Sequence, residues 1–457
     1  MNRLSVSHWG GDQTPAYDRA AKRVGIVHFG LGAFTRAHQA WYTDRAMALA
    51  GGDWMIAGVS LRSPDVGDQL NPQDGLYMLA EKSGSGTRLQ QIGSVAEVLL
   101  ATRQRASIAI MLIAPSTHMV TFTVTEKGYC RRPDGSLDLD LAEGGFYPLL
   151  ADAFARRKAA GIGGLTLLSC DNLADNGRQL HRLITAYLVA RAPDLVDWFH
   201  TQCRCPNSMV DRIVPATTDT DRAEAAALTG LRDEGLVVTE PFSQWVIEDD
   251  FAGPRPAWDQ VGAQIVADVA PYEMAKLRML NGAHSALAYL GLARGYAYVH
   301  QAVGDPDLAD LVRRLMLDEA APTIPAPPGM DLAAYAVALL ARFANPALNH
   351  RLIQIAMDGS QKIPQRWLAT LAAHQARGRA CPAIRAALAA WLRHVRGDNG
   401  AHWGAVDDPM AADLAALWAQ HGPGGIVAAL FGAGGPLASD WTPTPEDIAA
   451  LQPEITA

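Results

Sequence analysis

The chain has 457 residues, 49% hydrophobic and 19% charged, with a formal net charge of −8, a composition of folded globular proteins of two or three domains. The acidic balance argues against nucleic acid or an anionic membrane as the main partner, while leaving room for local basic pockets that take small anions. No apolar run reaches the roughly 18 residues that span a bilayer.

The first twelve residues lack an apolar core of signal-peptide length, so the cytoplasm is the expected compartment. The five cysteines, Cys130, Cys170, Cys203, Cys205 and Cys381, are odd in number and scattered, unlike a disulfide framework. His200, Cys203 and Cys205 gain no fourth ligand at zinc-finger spacing, so ordinary buried thiols are expected and no metal.

The first half alternates apolar runs with helical patterns, as a parallel sheet wrapped by helices does. The first predicted strand, Val24–Phe29, runs into Gly30-Leu-Gly-Ala-Phe-Thr-Arg and then a helix. Gly30 allows the tight turn, and Gly32 lets backbone approach a pyrophosphate at the positive end of the helix. Thr35 stands where the third glycine of the dinucleotide fingerprint belongs. A glycine pair after a strand also serves as a plain turn; its place in a βαβ unit favours the nucleotide reading.

The next predicted strand, residues 54–61, ends near where an adenosine ribose would lie. Asp65 is the acid that would accept the ribose hydroxyls and repel a 2′-phosphate, which favours NAD. As a bare sequence feature it is equally a helix-start aspartate after Pro64. Arg62 could stack on adenine or hold the phosphate of NADP. Residues 119–125, 165–169 and 209–216 read as further buried strands. Beyond two of these lie Thr125-Glu126-Lys127 and Cys170-Asp171-Asn172, at the carboxyl ends where open α/β sheets bind ligands. Asn172 alone could be a turn residue.

From about Pro271 the pattern turns to Ala and Leu at helical spacing, as in 331–343 and 384–395, with a proline-rich loop at 321–329 and a helix start at Thr444-Pro445. The reading is an α/β Rossmann-type domain, residues 1–265, followed by a mainly α-helical domain, residues 266–457. In the helix after Pro271, Lys276, His284 and Asn281 fall near 0°, 80° and 140° at about 100° per residue. Lys276 and His284 are roughly 12 Å apart along an ideal axis. They can serve one atom only if the helix bends, as Gly282 would permit; otherwise they meet different parts of an elongated substrate. An amphipathic helix with a polar face is the plain alternative.

These segments, with Pro72-Gln-Asp-Gly-Leu-Tyr, Thr123-Val-Thr-Glu-Lys-Gly-Tyr-Cys, Ser169-Cys-Asp-Asn-Leu, Met209-Val-Asp-Arg-Ile-Val-Pro, Glu240-Pro-Phe-Ser-Gln-Trp-Val-Ile-Glu-Asp and Asp358-Gly-Ser-Gln-Lys-Ile-Pro, resemble the mannitol dehydrogenase family of long-chain polyol dehydrogenases. They follow the family order across most of the chain. Thr35 departs where histidine is expected, and the last sixty residues carry no family motif.

The resemblance implies a zinc-independent, NAD-dependent dehydrogenase acting on an open-chain sugar acid or polyol. It makes Lys276 the general base, Asn172 and Asn281 the amides holding the reacting oxygen, His284 a substrate-positioning residue and Glu273 an aid to proton passage. Gly30, Gly32, Ala33, Phe34, Arg62, Asp65, Thr125 and Glu126 form the expected cofactor set. Lys127, Arg351 and Lys362, with Arg366 nearby, are basic where a neutral polyol needs no cation, so a carboxylate substrate, D-mannonate or D-fructuronate, is favoured. Mannitol and fructose come next, then arabinitol or tagaturonate; a solvated Arg366, or a Lys127 that touches cofactor or Glu126, is the plain alternative. A non-catalytic NAD-binding sensor would need no base, which the Lys276, Asn281 and His284 set argues against.

Overall fold

The computed structural model describes residues 1–8, 15–132, 134–397 and 400–456; residues 9–12 of the N-terminal segment lie outside these. The chain divides into two compact units, Met1–Val269 and Ala270–Ala457.

In the first unit five strands form one parallel sheet: β1 (Val24–Phe29), β2 (Met55–Ser60), β3 (Val95–Leu100), β4 (Met119–Phe122) and β5 (Thr166–Ser169), side by side in the order β3-β2-β1-β4-β5. Because both faces of such a sheet are covered, the strands are apolar throughout rather than alternating. Val27 and Phe29 enter one core with Val120 and Phe122, while Ile26 enters the opposite core with Ile56, Met119 and Trp245. Phe29 and Phe122 are register partners on β1 and β4 and stack at 5.7 Å. After β1 the chain forms helices α1 (Ala33–Ala37) and α2 (Gln39–Ala50), separated at His38, whose φ of −119° and ψ of −89° break the helix. After β2 comes α3 (Asp65–Leu70). The strand order reverses between β1 and β4, and such a switch point opens the crevice that binds ligands in doubly wound sheets.

Two sequence expectations change here. The run 119–125 is a strand only as far as Phe122: Thr125 takes a left-handed φ of 61° and begins the short helix Thr125–Gly128. The run 209–216 is not part of the parallel sheet. It shrinks to Ser208–Asp211, paired antiparallel with Gln244–Glu248 in a separate three-stranded sheet. The chain leaves that ladder at Arg212, whose buried guanidinium donates to the carbonyls of Ala37 and Glu240 and pairs with Glu81 at 2.7 Å.

The second unit contains no strand among its described residues. Its centre is α4 (Gly282–Ala293), almost wholly buried. Around it stand α5 (Leu332–Phe343) and α6 (Pro382–Val395). Asp331 caps α5 by accepting from the N–H groups of Ala333 and Ala334. At the start of α6, the buried Glu319 carboxylate takes the N–H groups of Ala383 and Ile384. Three π-helical turns interrupt the α-helices, at Lys276–Asn281, Leu315–Ala320 and Pro364–Leu368, and the first packs on the other two. π turns are rare and concentrate at functional sites. No described helix is long and apolar enough to cross a membrane.

Candidate active site

In the first unit the glycine loop is built from β1 outward. Gly30 sits at φ 89°, and a Cβ there would lie 2.2 Å from the carbonyl oxygen of Thr123, so only glycine fits. Gly32 is different: it is the N-cap of α1, and a Cβ there would meet only the Gly30 carbonyl at 3.8 Å. Nothing in the protein demands a glycine at that position, so the open approach is available to a ligand phosphate. Ala33 and Phe34 are half-buried at the start of α1, and Phe34 stacks on His38 at 5.1 Å.

Thr35, at the missing third glycine, is buried and joins a polar knot beneath the loop. Thr123 Oγ1 donates to the Gly30 carbonyl at 2.8 Å. With its proton committed, it accepts from its neighbours Thr35 Oγ1 at 2.5 Å and His28 Nε2 at 2.9 Å. His28 Nδ1 also meets Thr121 Oγ1 at 2.7 Å, and burial pushes the imidazole down to about 3, so it stays neutral. Thr35 thus ties helix to sheet through a hydroxyl, which explains why the fingerprint tolerates its loss of glycine.

Arg62 and Asp65 both lie exposed after β2. Asp65 is the first residue of α3, its N–H held by Ser63 Oγ at 3.1 Å. A pocket of about 120 Å³ opens beyond the ends of β2 and β3, lined by Ser60, Pro64, Asp68, Leu100, Arg103 and Gln104 among others. Asp68, which sequence reasoning passed over, is the acid on its wall; only its (i, i+3) spacing from Asp65 on one helix face hinted at it.

The carboxyl ends of β4 and β5 are locked together by Asp171. Its carboxylate accepts the N–H groups of Val124 at 2.9 Å and Thr125 at 3.1 Å, and the hydroxyl of Tyr129 at 2.9 Å. Tyr129 in turn shares a 2.6 Å bond with Ser169 Oγ. Burial raises the Asp171 carboxyl above the usual carboxylate range. Asn172 is the residue expected here from the sequence; Asp171 beside it carries only the weak signal of an acid at a strand end. Asn172, Glu126 and Lys127 are exposed, and Lys127 makes no ion pair among the described residues.

The residues considered for zinc take other partners. His200 stacks on His181 at 5.1 Å and shares a 3.1 Å bond with Thr185, while burial pushes the Cys203 thiol up to about 11. Among the described residues no three His, Cys, Asp or Glu side chains are placed to hold a metal ion.

In the second unit Lys276 opens the first π turn and Asn281 closes it. Lys276 is 8% exposed, and Glu273 lies half-buried in the preceding Ala270–Ala275 helix. Hydrogen bonding from i to i+5 widens the turn, so residues five apart come round toward one face. The α-helical count had set Lys276 and Asn281 about 140° apart. The irregularity lies in this turn and not at Gly282, whose φ of −62° and ψ of −47° are ordinary α-helix.

His284 follows on α4, 7% exposed, with Nε2 buried and unbonded. Its ring lies against Phe343 at 4.5 Å and edge-on to His350 at 5.3 Å. Burial first, then the charges of His350, Arg342 and Arg366, hold it well below the usual histidine range, so it is neutral. Arg366 is half-buried on the third π turn, not a solvated helix residue. It donates to Ser285 Oγ at 2.7 Å and the Asn281 carbonyl at 3.3 Å. Lys362 is half-buried and donates to the Met357 carbonyl at 2.5 Å. Arg351 is exposed, at an isolated bridge to Tyr298.

The mannitol dehydrogenase Rossmann domain matches residues 24–260, and the mannitol dehydrogenase C-terminal domain residues 268–430. The chain is similar to the D-mannonate oxidoreductase of Escherichia coli, 40% identical over 96% of this chain and 93% of that one. It is also similar to the mannitol 2-dehydrogenase of Phaeosphaeria nodorum, 37% identical over 91% of this chain and 77% of that one. Among solved structures, the Pseudomonas fluorescens mannitol 2-dehydrogenase, a ternary complex with NAD and D-mannitol, superposes with a TM-score of 0.84 at 34% identity, covering 99% of this chain and 96% of the other. With both domains matched in order and two named dehydrogenases aligned along most of its length, the chain belongs to the mannitol dehydrogenase family of oxidoreductases.

Proposed function

We propose that this protein interconverts a secondary alcohol and a ketone on an open-chain hexose derivative with NAD, without a metal, and that the preferred pair is D-mannonate and D-fructuronate. The observation that carries the reading is the π turn that starts at a buried lysine and ends at an asparagine. Lys276 is largely removed from water, and burial works in general against the charged form of a lysine, whereas a general base needs the neutral one. Lys276 takes the alcohol proton during oxidation and returns it during reduction. Asn281 and Asn172 supply amide donors that stabilise negative charge developing on the reacting oxygen, the task zinc performs in other alcohol dehydrogenases. His284, neutral by burial, offers a hydrogen bond to a substrate hydroxyl, and Glu273 passes the proton onward.

The glycine loop, the acids of α3 and the turn at Thr125-Glu126 fit a dinucleotide across the switch point between β1 and β4. When bound, that cofactor supplies the hydride chemistry. The acid substrate is favoured over mannitol by Lys127, exposed and making no ion pair among the described residues, and by similarity to the E. coli D-mannonate oxidoreductase. The deciding experiment follows NADH absorbance with fructuronate, fructose and tagaturonate, and NAD⁺ reduction with mannonate, mannitol and arabinitol, before and after EDTA. The reading expects fructuronate to give the highest kcat/KM and EDTA to change nothing. A better rate with fructose makes mannitol the substrate; loss on chelation restored by zinc overturns the mechanism.

A further inference from the structure

Arg366 is a cation without an acid. Among the described residues its side-chain hydrogen bonds go to the Asn281 carbonyl and Ser285 Oγ, both through Nη1, and it makes no ion pair. Those two bonds use both Nη1 hydrogens. The Nε and Nη2 edge, which presents two parallel N–H groups in the geometry of a carboxylate, is left over. Half-buried guanidinium groups are costly unless an anion offsets their desolvation. Here burial pushes Arg366 down to about 10, and the ionisable neighbours that depress His284 are Arg366, Arg342 and His350, all basic. A guanidinium whose described hydrogen bonds go only to a carbonyl and a hydroxyl suits an anion.

Its position along the chain fits a particular anion. Arg366 grips the far end of the π turn, at Asn281 and Ser285, whereas the base Lys276 is at the near end. The other anchor of Arg366, Ser285, lies beyond the π turn on α4, next to His284. In fructuronate the carboxylate carbon is four carbon–carbon bonds from the ketone, roughly 5 Å in the extended form at about 1.52 Å per bond. The spacing that prevents Lys276 and His284 from serving one atom suits two ends of one open-chain sugar acid.

We propose that Arg366 is the residue that selects a sugar acid over a neutral sugar, its Nε and Nη2 edge taking the terminal carboxylate while Nη1 keeps it fixed to α4. This rests on the reading of Lys276 as the base of a sugar-acid dehydrogenase. Ser285 then matters indirectly, as the hydroxyl that aims the guanidinium.

The test is kcat/KM for fructuronate and for fructose with NADH, in the full-length wild type, Arg366→Gln and Arg366→Lys. The two ketones differ only in carboxylate against hydroxymethyl at one end. Removing the partner of a buried charge should lower the fructuronate-to-fructose ratio on the order of 30-fold to several thousand-fold. Arg366→Lys keeps a cation without the planar fork, so its ratio should fall about tenfold, which keeps the test alive if the glutamine variant does not fold. A wild type that uses fructuronate, with variants whose two activities fall together, overturns the role of Arg366 and leaves the substrate reading standing. A wild type that prefers fructose overturns the substrate reading and the role of Arg366 with it.

Discussion

Replacing Asp171 with asparagine separates support of the site from support of the fold. In the wild type one carboxylate oxygen, Oδ2, accepts from the Val124 N–H and the Tyr129 hydroxyl, and Oδ1 accepts from the Thr125 N–H. Asparagine has the same shape but only one acceptor end. Its carbonyl keeps the Oδ2 side, where it makes two bonds, and its amide then faces the Thr125 N–H, donor against donor. The loss is one charge-assisted bond, worth about 1.5–3 kcal/mol, and some strength in the other two. Relief of a carboxylate whose burial disfavours ionisation returns part of this, leaving a net cost of about 1–3 kcal/mol. That outweighs or matches the roughly 1–2 kcal/mol needed to hold a non-glycine residue left-handed, as Thr125 is. The Thr125–Gly128 turn should therefore relax. Steady-state kinetics are expected to show KM for NADH raised about 5- to 100-fold with kcat changed much less, and thermal unfolding a Tm lower by only a few degrees. A Tm collapse with unchanged KM would make Asp171 purely structural and refute the reasoning.

Two further outcomes are expected. Asp65→Ser should narrow the preference for NADH over NADPH on the order of tenfold, because a carboxylate that repels a 2′-phosphate is gone while Arg62 remains; if Asp68→Ser shifts the ratio more, the selecting acid is the one lining the pocket. Asp44, whose Oδ1 accepts from Tyr17 at 2.6 Å and from the Gly93 N–H at 2.8 Å, is pushed up by burial to about 6 from 3.8. Its contribution to stability is complete below pH 3.8 and is lost as pH rises through 6, an effect of about 3 kcal/mol. Asp44→Asn can keep both bonds on one carbonyl, so denaturant titrations should find it no less stable than wild type at pH 7 and flatter in stability between pH 4 and 6; a large loss at pH 7 refutes this.

Much of the scaffold was legible because it rests on local pattern. The apolar runs at 24–29, 54–61 and 165–169 could hardly be anything but buried strands, and Thr444-Pro445 marks the start of the Pro445–Thr456 helix by capping chemistry. What escaped depends on contacts distant in sequence. The β-branched run 119–125 predicts strand throughout, but its last residues are claimed by Asp171 and turned into a left-handed corner. Residues 209–216 look like another central strand, but Arg212 is drawn to Glu81 and Glu240. The π turn at Lys276–Asn281 has no local signature in the sequence, and it packs on two other π turns that are distant along the chain. Arg366 reads from the sequence as one of the cations suited to a carboxylate, with a solvated helix residue as the alternative; the fold makes it half-buried, with no ion pair among the described residues.

The central claim, a metal-free dehydrogenase whose base is Lys276, is tested most directly by Lys276→Ala assayed for turnover of its best substrate alongside NADH binding by fluorescence. The account predicts that kcat falls ~10²–10⁴-fold at neutral pH while the NADH Kd stays within about threefold of wild type. Near-normal turnover in the purified variant would contradict it.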